Sequence, residues 1–244
     1  IADIASEELI RDYKKKNLKQ KKKIDISQIL TKTDKKIERL VRAQIKKEFP
    51  YHNIIGEEYG KVQTKSPYSW IIDPIDGTKA FLSGIPVFTF LLSLKYKEDF
   101  ILGMVDQPII KERFWSINKK SYCNNKVIKT KKCKKLSDAI IAITDPMMFS
   151  NYKVLNKKVF NNLNYVRWGT DALGYVRCAE GIIDGVIERN INIWDVAAVE
   201  PIIRNAGGVI STWDGKKIGS NDTICATGDK IMHSILVNTL QNYI

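Results

Sequence analysis

The chain has 244 residues, with 40 Lys and Arg against 27 Asp and Glu, and a formal net charge of +13 at pH 7. Hydrophobic residues make up 44% of it, a share typical of folded proteins and unlike that of disordered chains. This length predicts one large domain or two small ones that share an interface. No apolar run approaches the ~18 residues that a membrane helix needs, and no signal-peptide pattern opens the sequence, so we expect no membrane contact.

Cysteine and histidine usage narrows the chemistry that the chain can carry. The four cysteines form no CxxC pair, which argues against a zinc ribbon or a redox motif, and a disulfide scaffold is not expected at this size. We therefore expect a reducing, cytoplasmic environment. The two histidines, His52 and His233, lie in no motif, which disfavours mechanisms that need a positioned imidazole. If the chain is an enzyme, carboxylates or a metal ion should carry its chemistry.

Lysine accounts for most of the positive charge and is concentrated in two runs. Seven of the ten residues 14–23 and five of the seven residues 129–135 are lysine. No aromatic residues are interleaved with these runs, and nothing resembles a recognition helix or an RNA-stacking motif. We interpret the runs as a solvated surface that attracts anionic substrates weakly, and we do not expect a nucleic-acid partner.

Two helices are predicted at the start of the chain, over residues 1–16 and 33–49, with a Lys-rich connector between them. Thr33 or Asp34 would cap the second helix, and Pro50 would end it. Four strands should follow, the second and third joined by a hairpin turn. Their predicted bounds are 70–73, 87–94, 101–105 and 113–117, with the turn at residues 97–99.

From residue 139 onward, strands and helices alternate. The predicted strands are 139–144, 182–188 and 209–213, and the predicted helices are 170–181, 195–206 and 230–240. Gly207 and Gly208 would close the helix over 195–206, and Pro201 should kink or shorten it. We therefore expect two units, an α+β half with an antiparallel sheet over residues 1–134 and an α/β half over residues 135–244.

The segment DPIDGT, which begins at Asp73, carries the strongest chemical signal. A buried strand should deliver Asp73 at its C-terminal end, and Pro74 should turn the chain so that Asp76 comes back toward Asp73. Two close carboxylates repel each other unless a proton or a cation lies between them. Gly77 and Thr78 would then open a short helix, whose first backbone N–H groups suit an anion. Metal ligands beside a phosphate site are what phosphoryl transfer requires.

Two further acidic motifs complete an ordered set. Gly-Glu-Glu, with Glu57 as its first glutamate, precedes the DPIDGT segment, and Trp-Asp-x-Ala-Ala, with Asp195, follows it. Asp195 alone could be a helix N-cap. The three motifs in this order resemble the inositol monophosphatase-like superfamily of magnesium-dependent phosphatases, over nearly the whole chain. The resemblance implies an α+β fold, a layered α/β/α/β/α sandwich of the inositol monophosphatase and fructose-1,6-bisphosphatase type, which is usually homodimeric.

The family pattern implies an ion-binding role for five positions of this chain. The Mg²⁺ ligands that it implies are Glu57, Asp73, Asp76, Asp195 and the backbone carbonyl of Ile75, for two or three ions per site. Carboxylate oxygens are hard ligands of the kind that Mg²⁺ prefers. Two such ions would stabilise the attacking and the leaving oxygens of an in-line displacement.

Other matched positions would act on the attacking water and the phosphate. Asp34 matches a residue near a third, looser ion and that water. Gly77 and Thr78 match the pair that contacts the phosphate, and Thr78 with Glu57 matches the pair that orients the nucleophilic water. This mechanism forms no covalent intermediate, so it does not require a nucleophilic histidine or cysteine.

Several segments are more similar to the histidinol-phosphate phosphatase branch, among them DQP, KERFW and TDPMMF. The predicted substrate-binding residues are Asp171, Glu188, Thr170, Lys79 and Arg113, and Thr170 departs from the glycine of that branch. Acidic Asp171 and Glu188 would complement the amine and the imidazole of histidinol phosphate through charge-assisted hydrogen bonds. We therefore expect a phosphatase for this small phosphorylated metabolite, acting in histidine biosynthesis.

Alternatives stay open at this point. The stretch from Glu188 to Asp195 is closer to inositol monophosphatases, and the abundant lysines could favour 3′-phosphoadenosine 5′-phosphate. Asp171 could be a helix cap, and Lys79 and Arg113 could form surface ion pairs. A basic nucleic-acid- or ribosome-binding protein with an unused active site would have lost metal ligands, whereas all five matched positions hold competent residues.

Overall fold

The computed structural model of the chain describes residues 1–19, 26–219 and 223–244. Two helices open it, α1 (Ala2–Lys19) and α2 (Ile26–Glu48), and they contact each other. The Lys-rich connector was expected over residues 17–32, but residues 17–19 belong to α1 and residues 26–32 to α2, and the remaining residues 20–25 lie outside the described residues. Within the described residues, no helix combines the length and the hydrophobicity that a membrane crossing needs.

The helix α2 begins earlier than predicted, so Thr33 and Asp34 lie inside it and neither caps it. The Thr33 hydroxyl instead donates to the Asp12 carboxylate of α1 at 3.0 Å. Thr33, Asp34, Ile37 and Val41 are all buried at helical spacing. The capping prediction is wrong because packing against α1 extends the helix through a sequence that would otherwise suit a helix start.

The first sheet has eight strands. Their bounds are β1 (Asn53–Gly56), β2 (Gly60–Val62), β3 (Tyr68–Asp76), β4 (Thr89–Tyr96), β5 (Asp99–Gln107), β6 (Glu112–Ile117), β7 (Lys120–Cys123) and β8 (Lys126–Val127). Their order is β2-β1-β3-β4-β5-β6-β7-β8, in which β1 and β3 are parallel and the other neighbours are antiparallel. The hairpin predicted at residues 97–99 is confirmed, since β4 and β5 pair on either side of it.

The second sheet lies later in the chain and has five strands within the part that the structure describes. Its strands are β9 (Ile140–Ile143), β10 (Tyr165–Trp168), β11 (Gly185–Arg189), β12 (Val209–Ser211) and β13 (Thr223–Thr227), in the order β10-β9-β11-β13-β12. The remaining α-helices are α3 (Thr78–Ser83), α4 (Tyr152–Lys158), α5 (Asp171–Ala179), α6 (Ile193–Val196), α7 (Val199–Asn205) and α8 (Lys230–Leu240).

The helix predicted over residues 195–206 is two helices, α6 and α7. Pro201 is the third residue of α7, and a proline has no N–H and its ring clashes with the carbonyl four residues earlier. The helix is therefore interrupted ahead of it, as the proline suggested. Gly207, with φ 102°, follows α7 and donates its N–H to the Arg204 carbonyl, so it closes the helix as predicted.

Five layers form the molecule. The two faces of the first sheet have separate cores: Phe90 and Leu92 of β4 pack with α1 and α2, whereas Leu91 between them packs with α5 and α7. The helix α7 contacts β5, β6 and β7 on one side and β12 on the other, and α8 contacts β12 and β13. The Ser116 and Ser121 hydroxyls of the first sheet donate to carbonyls of α7. This is the α/β/α/β/α sandwich that the motif order implied.

Candidate active site

The strand β3 carries the DPIDGT segment through a bulge. Asp73 is paired with Leu91 and Asp76 with Thr89, so β3 has one more residue than β4 between these two pairs. Residues three apart on a regular strand point to opposite faces of the sheet. The extra residue brings Asp73 and Asp76 to the same side. Their predicted proximity is confirmed, but a bulged strand produces it and not a turn at Pro74.

Three carboxylates form a compact cluster. Oxygens of Asp73, Asp76 and Asp195 all lie within 4.8 Å of one another. Each carboxylate also accepts one backbone N–H, which fixes its orientation. The donors, in the same order, belong to Ile75 (3.0 Å), Ala172 (2.7 Å) and Asn192 (2.7 Å). Asp195 is not a helix N-cap, because Asn192 holds that position in α6 and Asp195 completes the capping box.

Glu57 and Asp34 extend the cluster from β1 and α2. The Glu57 residue as a whole is exposed, but its carboxyl group lies beside that of Asp73. Burial of that group, and then repulsion from Asp195, raises the pKa of Glu57 to about 7. Burial, and then repulsion from Glu58 and Glu57, raises the pKa of Asp34 to about 8. Both carboxyls therefore lie in the same crowded field of negative charge.

The donor set fits a hard divalent cation. Burial and neighbouring carboxylates raise the pKa values of Asp73 and Asp76, and burial raises the pKa of Asp195 to about 6. Carboxylates held this close require either protons or a cation between them. All of the donors are oxygens, the ligands that Mg²⁺ prefers over softer alternatives. The cluster could therefore bind Mg²⁺.

Next to the cluster, the chain turns into α3 at a glycine. Gly77 has φ 79°, and a Cβ on it would lie 3.1 Å from Asp171 Oδ2 and 3.2 Å from the Phe88 Cα. Only glycine fits this turn, which a side chain would both strain and crowd. The Thr78 hydroxyl donates to the Ile75 carbonyl at 3.1 Å, so these two predicted site residues lie together.

A cavity of about 410 Å³ opens beside the cluster. The residues that line it include Asp76, Asp195, Gly77 and Thr78 and, as a second group, Asp145, Asp171 and Glu188. Lys79 is the only basic residue among the described residues that line it. We call the three clustered carboxylates together with Gly77 and Thr78 the cluster wall, and we call Asp145, Asp171 and Glu188 the acidic wall. The structure therefore brings Asp171, Glu188 and Lys79 to the same cavity as the predicted metal ligands.

Glu188 on β11 is the most enclosed residue of the acidic wall, with 3% of its surface exposed. The Tyr175 hydroxyl donates to its Oε2 at 2.7 Å, and the Thr144 hydroxyl donates to its Oε1. Burial raises the pKa of Glu188 to about 7, although both hydrogen bonds oppose the shift. Sequence reasoning missed Tyr175 and Thr144. Tyr175 lies one helical turn after Asp171, and that spacing could have indicated it.

Asp171 and Thr170 behave differently from each other at the start of α5. Asp171 has φ 46°, donates its N–H to the Thr144 hydroxyl at 3.2 Å and lines the cavity, so it is not merely a helix cap. Thr170 does not line the cavity, and within the described residues its buried hydroxyl has no hydrogen-bond partner. It lies against Gly174 inside the helix packing, so the structure does not support its predicted substrate contact.

Arg113 lies outside the cavity. It is opposite Asp106 in the register of β5 and β6, and its guanidinium pairs with Asp106 at 2.6 Å and with Asp3 at 2.8 Å. It lines a different hollow, beside Ser6 of α1. The structure does not bring Arg113 to the cavity of the carboxylate cluster, because its guanidinium is paired with Asp106 across the strands and with Asp3 of α1.

Comparison with known proteins gives a consistent result. The profile of the inositol monophosphatase family matches residues 1–244. The chain is 35% identical over 250 residues to the chloroplastic bifunctional phosphatase IMPL2 of Arabidopsis thaliana, covering 97% of this chain and 72% of that one. It is 28% identical over 257 residues to the histidinol-phosphatase of Streptomyces coelicolor, covering 100% of this chain and 95% of that one.

A solved structure has the same fold as this chain. The inositol monophosphatase of Zymomonas mobilis superposes with a TM-score of 0.87 at 28% identity, covering 98% of this chain and 94% of that one. The whole-chain family match, the layered fold and the carboxylate cluster point the same way. The chain therefore belongs to the metal-dependent inositol monophosphatase family and is a phosphatase.

Proposed function

We propose that the chain is a Mg²⁺-dependent phosphomonoesterase that hydrolyses L-histidinol phosphate to L-histidinol and phosphate in histidine biosynthesis. The observation that carries this proposal is the acidic wall, because Asp145, Asp171 and Glu188 line the same cavity as Asp76 and Asp195. A leaving group that bears an ammonium and an imidazolium would complement three carboxylates. The similarity to the Streptomyces coelicolor histidinol-phosphatase adds support.

The cluster wall would hold the metal. In this proposal the ligands are Glu57, Asp73, Asp76, Asp195 and the Ile75 carbonyl, for two or three ions. Bound Mg²⁺ would supply Lewis-acid stabilisation of the phosphoryl oxygens and lower the pKa of the attacking water. The backbone N–H groups already hold three of these carboxylates in place, so little reorganisation is needed at the moment of reaction.

The other residues would handle the water, the phosphate and the leaving group. Glu57 would accept the proton of the attacking water while the Thr78 hydroxyl orients that water, and Asp34 would lie close to the same water. The backbone N–H groups of Gly77 and Thr78 hold the phosphate. The leaving alcohol departs toward the acidic wall, on the side opposite to the attacking water.

An inositol phosphate is the second candidate substrate. Glu188 can accept hydrogen bonds from polyol hydroxyls, and the inositol monophosphatase of Zymomonas mobilis is as similar in sequence as the histidinol-phosphatase, each at 28%. A nucleotide with two phosphates is less well matched, because its second phosphate would meet three carboxylates and one lysine.

Three further features belong to the same proposal. We propose two units over residues 1–134 and 135–244, because β8 ends the first sheet at Val127 and β9 begins the second at Ile140. We also propose a homodimer and a cytoplasmic location, the first from the family resemblance and the second from cysteine usage.

The test is phosphate release from L-histidinol phosphate, inositol 1-phosphate and 3′-phosphoadenosine 5′-phosphate, with Mg²⁺ and with EDTA. We expect kcat/KM for L-histidinol phosphate to exceed the other two by about tenfold or more, the discrimination that one charge-assisted contact provides. A preference for either other substrate would contradict the substrate assignment. Activity that persists fully in EDTA would contradict the metal.

A further inference from the structure

An ion pair joins two residues that line the cavity. Lys79 follows the phosphate-side residue Thr78 on α3, and Asp145 precedes the short 3-10 helix at Pro146–Met148. The Lys79 Nζ lies 2.9 Å from the Asp145 Oδ2, and both residues line the cavity. The pair therefore links the cluster wall to the acidic wall through two elements that are far apart in the chain.

The two partners are held very differently. Asp145 Oδ1 accepts the Met147 N–H at 2.9 Å, which fixes the carboxylate, and only 28% of the side chain is exposed. The Lys79 side chain is 86% exposed and has a long, flexible stem. Ion pairs with so exposed a partner are weak. The Asp145 carboxylate is thus a fixed acceptor, and another cation can displace the Lys79 ammonium group from it.

The acidic wall already holds one ammonium group, that of Lys79. Lys79 lies in the field of Asp171 as well as in contact with Asp145, and the two carboxylates also influence each other. A substrate ammonium that enters this wall would find the same acceptors. A neutral hydroxyl could accompany the lysine but could not replace its charge.

We propose that Asp145 is a specificity-determining residue that binds an ammonium group on the leaving group, and that Lys79 holds this position until such a substrate displaces it. The inference rests on the proposed function for the identity of the natural ester. Its own claim, a selection of amine over hydroxyl, applies to any small phosphomonoester that enters the cavity.

The test compares 2-aminoethyl phosphate with 2-hydroxyethyl phosphate, two esters that differ in the charged group. The quantity is the ratio of their kcat/KM values, measured in the wild type, Asp145→Asn, Lys79→Gln and the double variant. Asparagine keeps an oxygen for the Met147 N–H, so the loop should keep its shape. Asp99→Asn is the matched control, because Asp99 also pairs with an exposed lysine, Lys217, and does not line the cavity.

We expect the amine-to-hydroxyl ratio to fall about tenfold in Asp145→Asn, in keeping with the loss of one charged hydrogen bond. The ratio should rise about threefold in Lys79→Gln, because a weak competing ion pair is removed. It should stay unchanged in Asp99→Asn. In the double variant the ratio should lie below that of Lys79→Gln, which shows that Asp145 acts directly and not through the lysine.

An unchanged ratio in Asp145→Asn would overturn the inference. A ratio in the double variant equal to that in Lys79→Gln would also overturn it. Equal losses of kcat/KM on both esters in Lys79→Gln would overturn it too, because they would show that the lysine binds the phosphate. A wild-type preference for inositol 1-phosphate over L-histidinol phosphate would refute the proposed function and leave this ratio test intact.

Discussion

The cluster wall and the acidic wall of the cavity are built by different means. On the cluster wall, a strand bulge and three backbone N–H groups orient Asp73, Asp76 and Asp195. On the acidic wall, the Met147 N–H fixes Asp145, but the most enclosed carboxylate, Glu188, is held by the hydroxyls of Tyr175 and Thr144. Backbone donors survive most substitutions, whereas side-chain donors change with a single one. We infer that the fold secures the chemistry of hydrolysis and leaves the choice of leaving group adjustable.

The largest effect should come from the cluster wall. Asp76→Asn should reduce kcat/KM by about a thousandfold or more on every substrate, because it removes a charged ligand of the proposed metal site. The protein should still fold, since asparagine can accept the Ala172 N–H that Asp76 accepts. Steady-state kinetics and a thermal melt check both statements. A variant with nearly wild-type turnover would contradict the metal-site assignment.

A selective effect is expected on the acidic wall. Asp171→Asn should lower kcat/KM for L-histidinol phosphate by about thirtyfold, the size of a lost charged hydrogen bond, with little change for p-nitrophenyl phosphate. Asparagine is the right substitution because it tolerates the positive φ of 46° at this position. Parallel assays on the two esters make the comparison. Equal losses of kcat/KM on both esters would show that Asp171 contributes to hydrolysis itself. The two walls would then not differ in function as inferred.

A smaller selective effect should follow from a residue that holds Glu188. Tyr175→Phe removes the hydroxyl that donates to Glu188 and should raise the KM for L-histidinol phosphate about fivefold, in keeping with one neutral donor lost. The Mg²⁺ concentration for half-maximal activity should not move. Tyr152→Phe, outside the cavity lining, is the control. A changed Mg²⁺ requirement would show that the two walls are not independent.

The smallest effect concerns stability. Burial and carboxylate repulsion raise the pKa of Asp34 to about 8 and that of Glu57 to about 7, so the metal-free folded chain keeps protons that the unfolded chain releases above about pH 4. The unfolded state then binds fewer protons, and stability falls as the pH rises toward 8.

Thermal melts in EDTA should therefore show a midpoint that decreases between pH 5 and pH 8. Mg²⁺ replaces the missing protons, so it should raise the midpoint by several degrees at pH 8 and by less at pH 5. A metal-free midpoint that rises with pH over this range would contradict the crowding of carboxylates.

The sequence predicted the cluster wall better than the acidic wall. The DPIDGT segment is local, and its order with Glu57 and Asp195 is enough to identify the cluster. Lys79 and Asp145 are 66 residues apart, and only the tertiary fold brings them together. Arg113 belongs to a motif, yet its cross-strand partner Asp106 decides where its side chain goes.

Helices and strands were likewise predictable from the sequence only where a local pattern indicates them. The final helix was predicted at residues 230–240, the bounds that it has in the structure, because its apolar spacing is regular. The strand β13 (Thr223–Thr227) was missed, since all of its residues are buried and it lacks the apolar–polar alternation of a half-buried strand. The β3 bulge was not predicted, because it is a property of the pairing of β3 with β4 and no local sequence pattern indicates that pairing.

The most direct measurement is an internal competition. Equal concentrations of L-histidinol phosphate and inositol 1-phosphate in one reaction with Mg²⁺ give a product ratio that equals the ratio of their kcat/KM values early in the reaction. We expect histidinol to exceed inositol by about tenfold or more, because only the cationic alcohol complements the acidic wall. Equal amounts, or an excess of inositol, would contradict the assignment of that wall to a cationic leaving group.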